Sequence, residues 1–337
     1  MNFERMVKGI KVTVDYRTEL CGVIMLIGEY SEKYPDLFRE YNNKSYKEEI
    51  YKRFKKYKNH KTIKIFDMLV QKHYFNYDAP ITLFLELDEK LRCNELSDYI
   101  LDDRLSRDET VYEFIESLND FVEDTNFNDF YRSNEKRYSQ YIDGMCDCLK
   151  EFDVTEFINR FYGVPTMKLV INLMPFHTHA NYGPTVKDTM YANICVYLPN
   201  GVKLVEPTFN GGRKTAQLLI HEFGHSYINP LTDKCYSSDD LNVFDDIWEN
   251  MRKICYPDNK TILNEHIIRA CEVVYINEHD KELAKSVRKS DRDLGFVYID
   301  DFIDMLNVYK LSRDEFPEIK DYYQIMVDKF LKEIIKK

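Results

Sequence analysis

The sequence predicts an α+β fold: a mainly helical first half, a small sheet that begins near residue 167, and helices from there to the end. Three observations predict it. Apolar residues recur at helical spacing through most of the first 160 positions. Two short apolar runs, 167–174 and 191–198, then break that pattern. After them helical spacing returns, opened by Gly211-Gly212 and punctuated by prolines. Strands and helices grouped into separate runs are the mark of α+β architecture.

Residues 9–14 alternate and are β-branched, which predicts a short strand. Residues 19–30 predict a helix, and 46–71 one or two basic amphipathic helices. Asp78-Ala79-Pro80 interrupts the pattern, and helical spacing resumes over 81–101, 110–121 and 132–160. Strands are expected at 167–174 and 191–198, joined by a loop over 175–184 rich in Gly, Pro, His and Asn; 202–205 predicts a third. A helix over 214–228 follows. Asn229-Pro230 is expected to end it, because the residue before a proline is pushed out of helical geometry. Further helices are predicted near 238–254 and 261–277, and a last one after Pro317. There is no internal repeat, low-complexity linker or heptad run. The chain thus divides near residue 160: 1–160 is a mainly helical region, separate or packed as one unit with the rest, and 161–337 holds the sheet and the chemistry.

A chain of 337 residues, 44% apolar and 31% charged, can bury a sizeable core and is too apolar for a disordered one. The net charge of −11 argues against a nucleic-acid partner, whose phosphates need clustered positive charge. The run Lys52-Arg53-Phe54-Lys55-Lys56-Tyr57-Lys58 reads as a solvated helix face. The high Tyr and Phe content reads as biased composition, alongside abundant Lys, Asn and Ile. The eight cysteines are scattered and form no CxxC pair, a pattern of reduced cytosolic thiols. The opening Met1-Asn2-Phe3-Glu4-Arg5 lacks a secretory pattern, and the apolar stretch 21–28 is too short to span a bilayer. A cytoplasmic protein with no membrane association is expected.

The chemistry concentrates in His221-Glu222-Phe223-Gly224-His225. Side chains four apart on a helix stand over one another, so His221 and His225 can reach one metal ion at about 2.0–2.1 Å. Glu222 is displaced by about 100° of helix rotation. There it can flank the ion and take a proton from a water whose pKa the metal has lowered to roughly 7. The spacing thus supplies a nucleophile and its base together. The apolar stretch 215–220 before the motif suits a buried helix. Gly224 costs about 1 kcal/mol of helix stability relative to Ala, which predicts the close approach of another segment there.

A third ligand is needed. In the helix over 261–277, Leu263, Ile267, Ala270, Cys271 and Val274 form an apolar stripe, and Glu265, Arg269, Glu272 and Ile276 lie opposite. Glu265 is the favoured ligand, with Arg269 one turn on to orient its carboxylate. Glu272 is expected on the surface; it and His266 are the reserve ligands. An aspartate ligand from Asp233, Asp239 or Asp240 stays open.

The His-Glu-Phe-Gly-His segment, followed by a later helix with Asn264-Glu265, resembles the gluzincin metallopeptidases of the thermolysin-like clan. That resemblance implies a zincin-like small sheet with an active-site helix, zinc held by His221, His225 and Glu265, and Glu222 as base. The spacing from His225 to Glu265 is longer than in the best-known gluzincins. A metzincin continuation fails, because Ile228 and Leu231 stand where it needs Gly and His. The chain is also similar to an uncharacterised bacterial family of HExxH proteins, through Asp15-Tyr16-Arg17-Thr18-Glu19-Leu20, Asn229-Pro230-Leu231, Gly295-Phe296-Val297-Tyr298 and 309–317.

The expectation is therefore a zinc metallopeptidase that hydrolyses a peptide or protein substrate. Two alternatives stand beside it: a catalytically silent metal-containing binding protein, and a metal-dependent hydrolase of a non-peptide amide. Tyr275, Tyr298, His279 and Arg269 are candidates to stabilise an oxyanion. His177 and His179 are expected as exposed loop residues. The strand at 191–198 is a candidate to hold an extended peptide by β-addition.

Overall fold

The computed structural model describes residues 2–38, 44–177, 180–196 and 212–334. The fold is α+β, predominantly helical with one five-stranded sheet. It divides into two compact units: Met1–Lys150 with Leu169–Gly211, and Glu151–Lys168 with Gly212–Lys337. The expected boundary near residue 160 grouped the sheet with the motif helix. The division instead gives the sheet to the first unit and the helix to the second.

Pairing across the sequence explains that grouping. In the first unit β1 (Phe3–Val7) and β2 (Ile10–Val14) form a hairpin. Its two-residue turn has Lys8 at φ 46° and Gly9 at φ 80°, the left-handed pair that matches strand twist. β3 (Lys168–Met174) lies parallel to β2, with Ile10 opposite Leu169 and Thr13 opposite Asn172. β4 (Thr185–Val186) pairs antiparallel with β5 (Thr189–Cys195), giving the order β1-β2-β3-β5-β4. The helices of this unit are α1 (Tyr16–Ile27), α2 (Tyr30–Lys33), α3 (Lys44–Phe54), α4 (Lys61–Lys72), α5 (Ala79–Glu86), α6 (Thr110–Thr125), α7 (Phe127–Ser133) and α8 (Glu135–Glu151).

Asp15 caps α1 by accepting from the Arg17 amide at 2.8 Å, and its own amide donates to Asn172 Oδ1 at 3.1 Å, tying the helix start to β3. The helix expected over 81–101 ends at Glu86. There the Glu86 carboxylate accepts from the Ser97 amide at 2.8 Å and hydroxyl at 2.5 Å. Side chain–backbone bonding of this kind holds a loop in place of a helical turn. The strand expected at 202–205 and His179 lie outside the described residues.

The second unit holds α9 (Val154–Phe161), α10 (Gly212–Cys235), α11 (Asp245–Lys253), α12 (Asn259–His279), α13 (Lys281–Leu294), α14 (Ile299–Leu311) and α15 (Ile319–Ile334). α12 packs against α10, α13 and α14, and its side chains are buried almost all round. The segment after α9 is tied down by the Tyr309 hydroxyl donating to Phe161 O at 2.7 Å and the Ile319 amide donating to Tyr162 O at 3.1 Å.

One expectation fails here. α10 does not stop at Asn229-Pro230; it carries Pro230 inside and runs on to Cys235. Tertiary contacts hold the extra turn. Thr232 is fully buried, and its hydroxyl meets the Asn264 side chain and, at 2.5 Å, the Tyr323 hydroxyl. No described helix is long and apolar enough to cross a membrane.

Candidate metal centre

α10 presents His221 and His225 one turn apart, with ring centroids at 4.9 Å and Nε2 atoms 3.2 Å apart. α12 supplies Glu265 opposite them. Its Oε1 lies 3.5 Å from His225 Nε2 and its Oε2 3.8 Å from His221 Nε2. Among the described residues these three form the one His/Cys/Asp/Glu group able to hold a metal ion. A tetrahedral zinc with ligands at 2.0–2.1 Å sets its donor atoms about 3.3–3.4 Å apart. The two Nε2 atoms are 3.2 Å apart and each is 3.5–3.8 Å from a different oxygen of Glu265, so the three side chains stand close enough together to hold an ion. Glu265 Oε2 is also buried without a hydrogen-bond partner, with the Arg269 guanidinium as the charge that faces it.

α10 and α12 can approach this closely because of Gly224. A Cβ there would stand 2.9 Å from the Tyr162 hydroxyl and 3.2 Å from Cγ2 of Ile268, which is the close approach that the glycine predicted.

Around the three side chains lies a layer of polar partners. His221 Nδ1 donates to Glu272 Oε1 at 2.5 Å, and Gln217 Nε2 donates to Glu272 Oε2 at 2.6 Å. That bond commits the proton of the imidazole to Nδ1 and turns Nε2 towards His225 and Glu265. His225 Nδ1 faces Asn229 Oδ1 at 3.4 Å. Arg269 Nε stands 3.3 Å from Glu265 Oε2, which places this guanidinium beside the carboxylate as its position one turn on suggested.

The electrostatics follow from burial and these charges. Glu222 is 4% exposed; burial pushes its carboxyl up to about 8, against the pull of His221. Burial alone would lower His221, but Glu272 and then Glu265 hold it up at about 9. Burial lowers His225 despite Glu265. Burial works against ionising Glu265, yet His221, His225 and Arg269 keep it below the usual carboxylate value. The site therefore offers an ionised carboxylate, a His225 imidazole of lowered proton affinity, a His221 ring whose proton affinity two carboxylates raise and, at Glu222, a buried carboxyl with raised proton affinity.

Several expectations need correction. Glu272 is not a surface residue; it is 5% exposed, because α12 is covered on the side that its apolar stripe left open. His266 is not available as a reserve ligand. It is fully buried among Phe244, Phe296 and Tyr298, with Nδ1 donating to Ile262 O at 2.8 Å. Asp233, Asp239 and Asp240 are exposed, and Asp233 pairs with Lys260 at 3.2 Å. Tyr275 lies ten residues beyond Glu265, about 15 Å along the helix axis, and packs on Phe157 and His279. Tyr298 packs on Phe244 and Phe330. In the first unit, His177 is a core residue, fully buried between Phe38, Phe176 and Tyr182, and burial lowers it to about 3. β5 does not offer an open edge for β-addition. Its Tyr191 and Asn193 amides already donate to Pro184 O at 2.9 Å and Tyr182 O at 2.8 Å.

Three residues of the centre were not singled out in the sequence: Gln217, Tyr256 and Asp291. Tyr256 and Asp291 both bond to Arg269. Neither falls at a recognisable spacing from the motif. Only Gln217, one turn before His221, carried a signal, since it shares the face of the histidines.

The family described as a domain of unknown function, DUF4932, matches residues 10–329. Comparison with curated proteins and with solved structures finds no match.

Proposed function

This chain belongs to the DUF4932 family, and we propose that it is a zinc-dependent metallopeptidase of gluzincin type. The observation that carries this reading is the convergence of His221 Nε2, His225 Nε2 and the Glu265 carboxylate into one group able to hold a metal ion, with Glu222 buried beside them. A zinc ion held there supplies a Lewis acid and an activated water. Among the described residues only the His221, His225 and Glu265 side chains form the group, which would leave a fourth position for water, as in hydrolytic sites.

Glu222 acts as general base. It follows His221 on α10, and its low exposure keeps bulk water away from a carboxylate that takes a proton and later hands it to a leaving amine. Glu272 and Gln217 hold the His221 ring in place while this happens.

The test is metal content and hydrolysis together. Elemental analysis should find about one zinc per wild-type chain, lost in His221→Ala, His225→Ala and Glu265→Ala while the chains stay folded. Glu222→Gln should keep the zinc and lose hydrolysis of a mixed peptide library. A wild type prepared without chelators that carries no zinc, or a Glu222→Gln chain that cleaves normally, would end this reading.

A further inference from the structure

Arg269 has more fixed partners than an ordinary ion pair between helices requires. Nη1 donates to Asp291 Oδ1 on α13 at 3.0 Å. Nη2 donates to the Tyr256 hydroxyl at 3.1 Å. The guanidinium lies over the Phe296 ring at 4.4 Å from its centroid. The remaining edge, Nε, faces Glu265 Oε2 at 3.3 Å. Tyr256 comes from the connection between α11 and α12. There Cys255 adopts left-handed backbone at φ 73°, and the Tyr256 amide donates back to Met251 O at 3.1 Å.

We propose that Arg269 is a positioning residue that sets the Glu265 carboxylate in one orientation towards His221 and His225, with Tyr256, Asp291 and Phe296 holding the guanidinium that does so. The inference rests on the zinc reading of the same centre and deepens it.

A tether between α12 and α13 needs only Arg269 and Asp291. It does not explain why the guanidinium is turned edge-on to Glu265, or why a tyrosine from a third segment completes its set of partners. Orientation explains both. A glutamate side chain that is free to rotate gives up rotamer freedom when it is fixed. If the fold has already fixed it, that cost is not charged against metal binding. The device needs arginine in particular. Its planar fork serves three partners in three directions and stacks on a ring, which an ammonium cannot do. Glu265 Oε2 accepts no hydrogen bond in spite of this company, so the clamp leaves lone pairs for a cation.

The experiment is zinc affinity of the full chain by competition with a chromophoric chelator, with melting of the metal-free protein measured alongside. Tyr256→Phe and Arg269→Lys keep the ring and the charge but lose the clamp. Each is expected to weaken zinc binding by about 10–100-fold, the usual range for partners that orient a ligand. Tyr256→Phe should melt, metal-free, at the wild-type temperature, which a merely structural role would not allow. Wild-type zinc affinity in both variants, with Glu265→Ala still losing the metal, would overturn the clamp and leave the zinc reading standing. A wild type that takes up no zinc would overturn both.

Discussion

The Glu272 carboxylate lies 2.5 Å from His221 Nδ1, seven residues along α12 from the carboxylate that faces the other side of the same ring. One helix thus faces both nitrogens of one imidazole. Glu272 fixes which nitrogen carries the proton, and Glu265 stands where the other nitrogen points. Replacing Glu272 leaves Nε2 free to turn away. Glu272→Ala should lower zinc affinity by about 10–100-fold, and Glu272→Gln by less, because an amide oxygen still accepts from Nδ1. Chelator competition reads both, and unchanged affinity in Glu272→Ala would show that the ring orientation is set elsewhere.

Gly224 tests how tightly α10 and α12 are packed. Alanine there gains about 1 kcal/mol of helix propensity. Its methyl group would stand 2.9 Å from the Tyr162 hydroxyl and 3.2 Å from Ile268. Overpacking of that kind costs about 1–3 kcal/mol, so the clash should win and Gly224→Ala should lower the midpoint of urea unfolding. Adding Tyr162→Phe removes the nearest atom and should restore part of the loss. A double variant no more stable than Gly224→Ala would place the strain at Ile268.

How much of this was legible depended on distance along the chain. His221, Glu222 and His225 share one turn of helix, so their chemistry could be read directly from spacing. Gly224 announced a close approach for the same local reason. Glu272 was misplaced because amphipathic reasoning assumes one buried face, whereas α12 is enclosed by α10, α13 and α14. His177 sits in a stretch of polar and turn-forming residues that reads as exposed; only the packing of Phe38 and Tyr182 shows it to be core. The pairing of Ile10 with Leu169 brings together segments with no local signal for one another, and it draws the sheet into the first unit.

Pro230 gives a prediction from one of these differences. A proline inside a helix costs about 3 kcal/mol through its missing N–H and its clash with the preceding turn. Here the Thr232 contacts with Asn264 and Tyr323 outweigh that cost. Pro230→Ala should therefore raise the melting temperature, while Thr232→Val should lower it by removing the hydroxyl from Asn264 and Tyr323. A fall in melting temperature for Pro230→Ala would mean that the proline bends α10 into a shape that its neighbours require.

Glu19 provides a pH test in the first unit, away from the metal centre. Burial pushes its carboxyl up to about 7, although Tyr46 and Tyr138 both donate to Oε2 and favour the charged form. The folded chain then binds this proton more tightly than the unfolded chain, whose carboxyl keeps its ordinary value of 4.5. Its contribution to stability is full below pH 4.5 and is lost as pH rises through 7. At about 1.4 kcal/mol for each tenfold change in proton affinity, the loss is on the order of 3 kcal/mol. Other carboxylates titrate in the same window, so the quantity to measure is the unfolding free energy of wild type minus that of Glu19→Gln, whose amide is neutral throughout. That difference should fall steadily between pH 4.5 and pH 7. A flat difference would show that the two tyrosines hold the carboxylate ionised, with its proton affinity unshifted by burial.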